Sequence, residues 1–233
     1  MHADSHPDEN RSLAEHAAEL RSRVEAASRF QGGYTYYVER LGIFRDYLKE
    51  RPELILSEEK LFADLASAPD DEGNEHQVWL IDGATCYLKV TWPDFFGLSV
   101  VYRSEDEQKA SPIDYLERWH WHNQLFGDGV IFHGVLISND QLRLVISQPA
   151  LIGSPATAEE TKAFFTAQNW LPFEEAGEIA FFEPREGIVV SDTHPGNIVK
   201  TVDGHLLPID LRVQKLTGTL LSTLQDRTNS ASD

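Results

Sequence analysis

Cysteine, basic residues and long apolar runs are what this 233-residue chain has least of. Its one cysteine, Cys86, excludes an intramolecular disulfide and a cysteine-built zinc site, and a chain of this size without disulfides reads as cytoplasmic. Against 38 Asp and Glu there are 20 Lys and Arg, for a formal net charge of -18. Such a surface repels phosphate backbones and anionic headgroups, so neither nucleic acid nor a membrane surface is an expected partner. A small anionic ligand would need local cations or a metal to overcome that field. No apolar run approaches the roughly 18 residues of a membrane span. The stretch Met1–Asn10 is polar and acidic with no apolar core, so no secretory signal is expected.

What the chain does have is ordinary globular composition and strong local punctuation. Leu13, Ala17, Leu20 and Val24 share one helical face behind a Ser12–Glu15 capping box, and Gly32-Gly33 ends that helix. Tyr37, Leu41, Phe44 and Leu48 mark a second helix, stopped by Pro52, and Ser57 to about Ala68 a third. The run Pro69 to Asn74 is turn chemistry and charge, a natural boundary. Beyond it, His76–Ile81 and Thr85–Thr91 read as strands joined by Asp82-Gly83. Ser111-Pro112 opens a helix to about Phe126. Strands follow near 130–137 and 141–148, joined by Asn139-Asp140, then a Thr157–Glu160 capping box opens a helix to about Asn169. Short strands over 178–182, 187–191, 197–201 and 206–211 close the pattern, and residues 1–10 and 225–233 read as frayed polar ends. A helix inserted after a hairpin among mixed strands predicts an α+β fold, not a doubly wound parallel sheet. The expected division is a helical segment over 1–70, a main domain over 71–216 and a polar tail over 217–233.

The chemistry concentrates between Ser191 and Leu211. Asp192 follows one strand and Asn197 opens the next five residues on, with Pro195-Gly196 forcing a tight loop between them. A hairpin turned at Asp203-Gly204 brings Asp210 back beside Asn197. Three oxygen-bearing side chains thus converge at one end of a small sheet, which suits a hard cation with oxygen ligands plus a base. Otherwise the same residues would cap their own turns.

This pattern resembles the catalytic loop and metal-binding hairpin of the protein-kinase-like superfamily: Asp, four residues, Asn, then a metal-binding Asp after a hairpin. The His194-Pro195-Gly196-Asn197 wording is similar to that of phosphotransferases acting on aminoglycosides and choline. The run from His76 through Leu211 resembles more closely the kinase-like domains of bacterial polyvalent proteins carried on mobile elements, supported by Phe95-Phe96-Gly97, Asn123 to Asp128 and Ile146 to Pro149. The resemblance implies a compact kinase-like fold that binds ATP and Mg2+ and transfers phosphate to a small-molecule or protein acceptor. Asp192 would accept the substrate proton, and Asn197 and Asp210 would hold magnesium. Lys89 would pair with the α/β-phosphates, Glu117 would orient that lysine, and Gln148, Pro149 and Ala150 would form the hinge whose backbone meets the adenine.

Each assignment has a plainer rival. A lysine inside an apolar strand otherwise marks an edge with its amine in solvent. Glu75, Glu105 and Glu107 compete with Glu117. His194 is expected to brace its loop, not to move protons. His120 and His122 flank Trp121 and so point to different sides of a helix, which excludes a metal pair between them. The chain also departs from the pattern. Only Gly73 precedes the first strand of the hairpin, a thin cradle for phosphates. Asp210-Leu211-Arg212 stands where Asp-Phe-Gly is usual, and 23 residues follow Asp210, which predicts a truncated C-terminal lobe. These departures motivate an alternative, a pseudokinase-like module that binds nucleotide or a partner without turnover. Transfer of a nucleotidyl group to protein is a third reading, distinguished by a mass gain of one nucleotide monophosphate on the target.

Overall fold

The computed structural model describes residues 12–27, 36–65, 68–81, 83 and 85–230. The chain folds as two compact units. One takes the residues up to Gly97 with Ala110–Leu116 and Gly129–Ala150, and the other takes Leu98–Lys109, Glu117–Asp128 and the chain from Leu151. Helices and small antiparallel sheets make an α+β protein, as the alternation of turn signals and periodic segments predicts.

In the first unit, α1 (Leu13–Ala27) starts at the expected capping box, with the Glu15 amide 3.3 Å from Ser12 Oγ and the Ser12 amide 2.7 Å from Glu15 Oε2. Its buried stripe of Leu13, Ala17 and Leu20 packs with Phe44, Tyr47 and Leu48 of α2 (Tyr36–Glu50). The buried His16 Nδ1 lies 2.6 Å from the Tyr47 hydroxyl, so the one polar group on that stripe is satisfied. The Gly32-Gly33 stop, the polar stretch 1–10, Ala68's neighbours 66–67 and Asp82 of the hairpin turn lie outside the described residues.

A third helix, α3 (Glu58–Leu65), precedes a five-stranded antiparallel sheet in the order β1-β2-β3-β5-β4. Its strands are β1 (Asp71–Glu72), β2 (His76–Ile81), β3 (Cys86–Thr91), β4 (Ile131–Ser138) and β5 (Gln141–Pro149). The Pro69–Asn74 run, expected as a boundary, therefore contributes a short strand to this sheet. Strand register divides the faces. Trp79, Leu88, Val90 and Val145 form an apolar cluster with Leu61, Phe62 and Leu65 of α3. The opposite face carries two rows, Val78–Lys89–Ile146 and Leu80–Tyr87–Gln148. Gly134 makes a bulge in β4 at φ +141, and a Cβ there would stand 2.4 Å from the Leu54 carbonyl oxygen, so the 52–56 segment reaches this strand only across a glycine.

The boundary between the units falls within α4 (Pro112–Phe126), which opens on Ser111 and Asp114 as a reciprocal cap. The second unit holds two small sheets. One orders β11 (Leu206–Pro208), β10 (Ile198–Lys200) and β6 (Ser154–Pro155). The other orders β12 (Arg212–Lys215), β9 (Ile188–Ser191), β8 (Glu178–Glu183) and β7 (Leu171–Glu175). Between them in sequence lies α5 (Ala158–Ala167), opened by the predicted Thr157–Glu160 capping box. Phe165, Trp170, Phe181, Val190, Ile198 and Leu211 form one core, in which Phe165 stacks on Phe181 at 4.5 Å.

The C-terminal segment corrects the expectation of a frayed end from residue 225. Gly218–Ser230 is a helix, α6, and its Leu220, Leu221 and Leu224 pack with Val100, Val101, Phe182 and Leu216. Thr228 Oγ1 bonds back to the Leu224 carbonyl at 3.0 Å, which satisfies its buried hydroxyl within the helix. No described helix is long and apolar enough to cross a membrane.

Candidate functional site

The second unit brings Asp192, Asn197 and Asp210 together. β9 ends at Ser191 and β12 pairs back on it, Arg212 opposite Ser191, so Asp192 and Asp210 leave the same end of one strand pair. Asp192 then turns the chain at φ +61, a left-handed conformation that Asp tolerates better than most side chains. A 3-10 turn over Pro195–Asn197 follows, capped by His194, whose Nδ1 accepts the Gly196 amide at 3.0 Å.

Asn197 is the keystone of this loop. Its Nδ2 donates to the Asp192 carbonyl at 2.9 Å and reaches the Asp210 carbonyl at 3.4 Å. Its own carbonyl accepts the Ile209 amide at 2.9 Å. With the amide nitrogen committed to backbone oxygens, the side-chain oxygen is the end that can face a cation. That oxygen and the Asp210 carboxylate form a hard donor pair, which fits magnesium. Among the described residues no group of three or more His, Cys, Asp or Glu stands ready to hold a metal.

Two nitrogen-bearing side chains bracket Asp192. His194 Nε2 lies 3.5 Å from Oδ1 and an Arg212 nitrogen 3.7 Å from Oδ2. Because His194 Nδ1 is an acceptor, its neutral ring carries the proton on Nε2, facing Asp192. A cavity of about 520 Å³ opens beside Asp192, walled by Glu159 and Lys162 of α5, Ile179 and Phe181 of β8, and Thr193 to Pro195. Thr161 also lines it, and its buried Oγ1 has no hydrogen-bond partner among the described residues.

The first unit carries the remaining candidates. Lys89 and Gln148 are both buried, on the same face of the five-stranded sheet. The Ala150 amide donates to the Thr85 carbonyl at 2.9 Å. The Gly73 amide donates to the His76 carbonyl at 2.9 Å, and the Gly73 carbonyl accepts Trp92 Nε1 at 2.9 Å. That glycine is thus built into the sheet. Glu117 is half-buried on α4 and belongs to the second unit, whereas Lys89 belongs to the first.

Sequence reasoning passed over two residues near Asp210. The Arg118 guanidinium contacts Asp210 Oδ1 at 3.3 Å, and His122 Nε2 accepts the Leu211 amide at 3.3 Å. The local signal for them is their i, i+4 spacing, in a row of α4 that Asp114 begins.

A family model described as a serine/threonine/tyrosine kinase found in polyvalent proteins matches residues 42–217, about three-quarters of the chain. The match begins inside α2, so it reaches into the 1–70 segment that the resemblance, running from His76, was expected to leave out. No curated protein and no solved structure matches the chain.

Proposed function

The chain belongs to the family of serine/threonine/tyrosine kinases found in polyvalent proteins, and we propose on that premise that it is an ATP- and Mg2+-dependent phosphotransferase with Asp192 as its base. The family implies a phosphotransferase using ATP and a divalent metal in general terms. The observation that carries the finer reading is the Asn197 side chain bonded to both the Asp192 and the Asp210 carbonyls, which ties a base and a cation ligand into one rigid loop.

Asn197 and Asp210 would hold magnesium, which when bound neutralises phosphate charge. Lys89 would meet the α/β-phosphates, with Glu117 orienting it, and Gln148 and Ala150 would border the adenine. Asp192 would accept the hydroxyl proton of an acceptor seated in the adjacent cavity, as the new O–P bond forms and the bond from the γ-phosphorus to ADP breaks. His194 Nε2–H and Arg212 would keep the Asp192 carboxylate aimed at that hydroxyl. The acceptor would be a small molecule or a protein side chain, and the protein would act in the cytoplasm of a bacterium, without nucleic acid or membrane as partner.

Asp192→Asn preserves shape and left-handed tolerance but cannot take the proton. Phosphate transfer to acceptors, or to the chain itself, should fall about 10²–10⁴-fold while nucleotide binding persists. Transfer at the parental rate would remove Asp192 from this role. The thin phosphate cradle, with Gly73 bonded into its sheet, favours a second reading: a pseudokinase-like module. Nucleotide-dependent stabilisation with no transfer across a broad acceptor panel would select it.

A further inference from the structure

The backbone that carries Asp210 is held from α4. Arg118 Nε donates to the Leu211 carbonyl at 2.9 Å, and its Nη2 donates to the Asp210 carbonyl at 3.1 Å and to Asp210 Oδ1 at 3.3 Å. One turn along, the fully buried His122 accepts the Leu211 amide at Nε2, 3.3 Å away. Since Nε2 is an acceptor, the imidazole proton sits on Nδ1, 2.5 Å from Asp128 Oδ2. The Asp128 side chain is 4% exposed, so this close contact with the ring is shielded from water. One helix face and its following loop thus satisfy three consecutive backbone groups: the Asp210 carbonyl, the Leu211 amide and the Leu211 carbonyl.

We infer that Arg118 and His122 are positioning residues for the metal ion: they fix the Asp210-Leu211 backbone and so set the direction in which the Asp210 carboxylate meets a divalent cation. The inference rests on the metal role given to Asp210 above. Arg118 could act on such a cation in two opposed ways. Its charge repels a cation nearby, and its bonds pre-arrange the ligand. Of its bonds to this segment, the two shorter go to carbonyls and the longest to the carboxylate, so its grip is mainly on the backbone that carries the ligand. Magnesium accepts little departure from octahedral geometry, which makes a fixed ligand worth more to it than to a larger ion. The substitution of Leu211-Arg212 for a flexible Phe-Gly pair fits the same device, a metal loop clamped in place and not hinged.

The test measures metal binding directly, with Mn2+ as probe and its electron paramagnetic resonance signal as readout, on the full chain with a non-hydrolysable ATP analogue. Arg118→Met keeps the length of the side chain and removes every donor, and should raise the Mn2+ dissociation constant at least tenfold. Arg118→Lys, which keeps the charge but has one donor nitrogen in place of the guanidinium fork, should fall between that variant and the parent. A folded Arg118→Met with an unchanged or lower dissociation constant overturns the inference, because a merely structural residue would lower the unfolding temperature of the metal-free protein and leave metal binding alone. Should Arg118→Met fail to fold, an unchanged constant in Arg118→Lys overturns it instead. A parent chain that binds no Mn2+ beside the nucleotide analogue refutes the proposed function and this inference with it, whereas a parent that binds and variants that bind equally refute this inference alone.

Discussion

Asp192, Asn197 and Asp210 were readable in the sequence because their spacing is local. A five-residue loop and a hairpin separate them, so proline, glycine and Asp-Gly turn chemistry are enough to place them. Arg118 and His122 were not readable, since their partners are backbone groups 93 and 89 residues away. A side chain that serves a distant peptide bond leaves no mark on the local pattern. His122 looked unremarkable as half of a His-Trp-His triplet, yet it is fully buried, accepts the Leu211 amide at Nε2 and has Nδ1 against Asp128. Another imidazole, only partly desolvated, yields a prediction at this scale. His133 lies with Nε2 2.7 Å from Ser147 Oγ, and burial holds its pKa below the usual 6.5. Below about pH 6.5 the unfolded chain therefore takes up a proton there that the folded chain refuses. The resulting stabilisation is present above that pH and lost as pH falls through the folded value. Urea midpoints at two pH values, one above 6.5 and one below it but above the carboxylate range, should differ less in His133→Gln than in the parent. Equal losses in the two proteins would show that His133 does not carry this dependence.

At the scale of elements, helices with capping boxes and hairpins with Asn-Asp or Asp-Gly turns appear where periodicity places them. Asn139 and Asp140 both take positive φ, 50° and 61°, as a tight hairpin turn requires. The elements that escaped were those whose apolar pattern makes sense only against a partner. β7 reads Leu-Pro-Phe-Glu-Glu, an edge strand with proline and acids, and becomes a strand by pairing with β8. α6 has a weak apolar stripe, but three leucines suffice once Phe182 and Leu216 are there to receive them. The β4 bulge is the sharpest case of tertiary demand on one residue. Gly134→Ala places a Cβ against the Leu54 carbonyl in a conformation that L residues avoid, and should cost about 1–3 kcal/mol from the backbone alone. Chemical denaturation measures it, and a loss below roughly 0.5 kcal/mol, the scale of an ordinary surface change, would mean that the 52–56 segment yields without strain.

At the scale of the whole molecule, the net charge of -18 poses the problem that the site must solve. A polyphosphate approaching this protein meets a repulsive field, so its binding depends on a bound cation and a few well-placed basic groups. Lys89, buried in the first unit, is the basic group proposed above for that work. Binding without magnesium should accordingly be feeble. The most direct measurement is thermal unfolding of the full chain with and without ATP and magnesium, repeated on Asp210→Ala. Ligand at a hundred times its dissociation constant should stabilise the native state by about 2.7 kcal/mol. The account predicts that the shift requires magnesium and vanishes in Asp210→Ala. No shift in the parent chain, or an equal shift in the variant, would contradict a nucleotide–metal site built on Asp210.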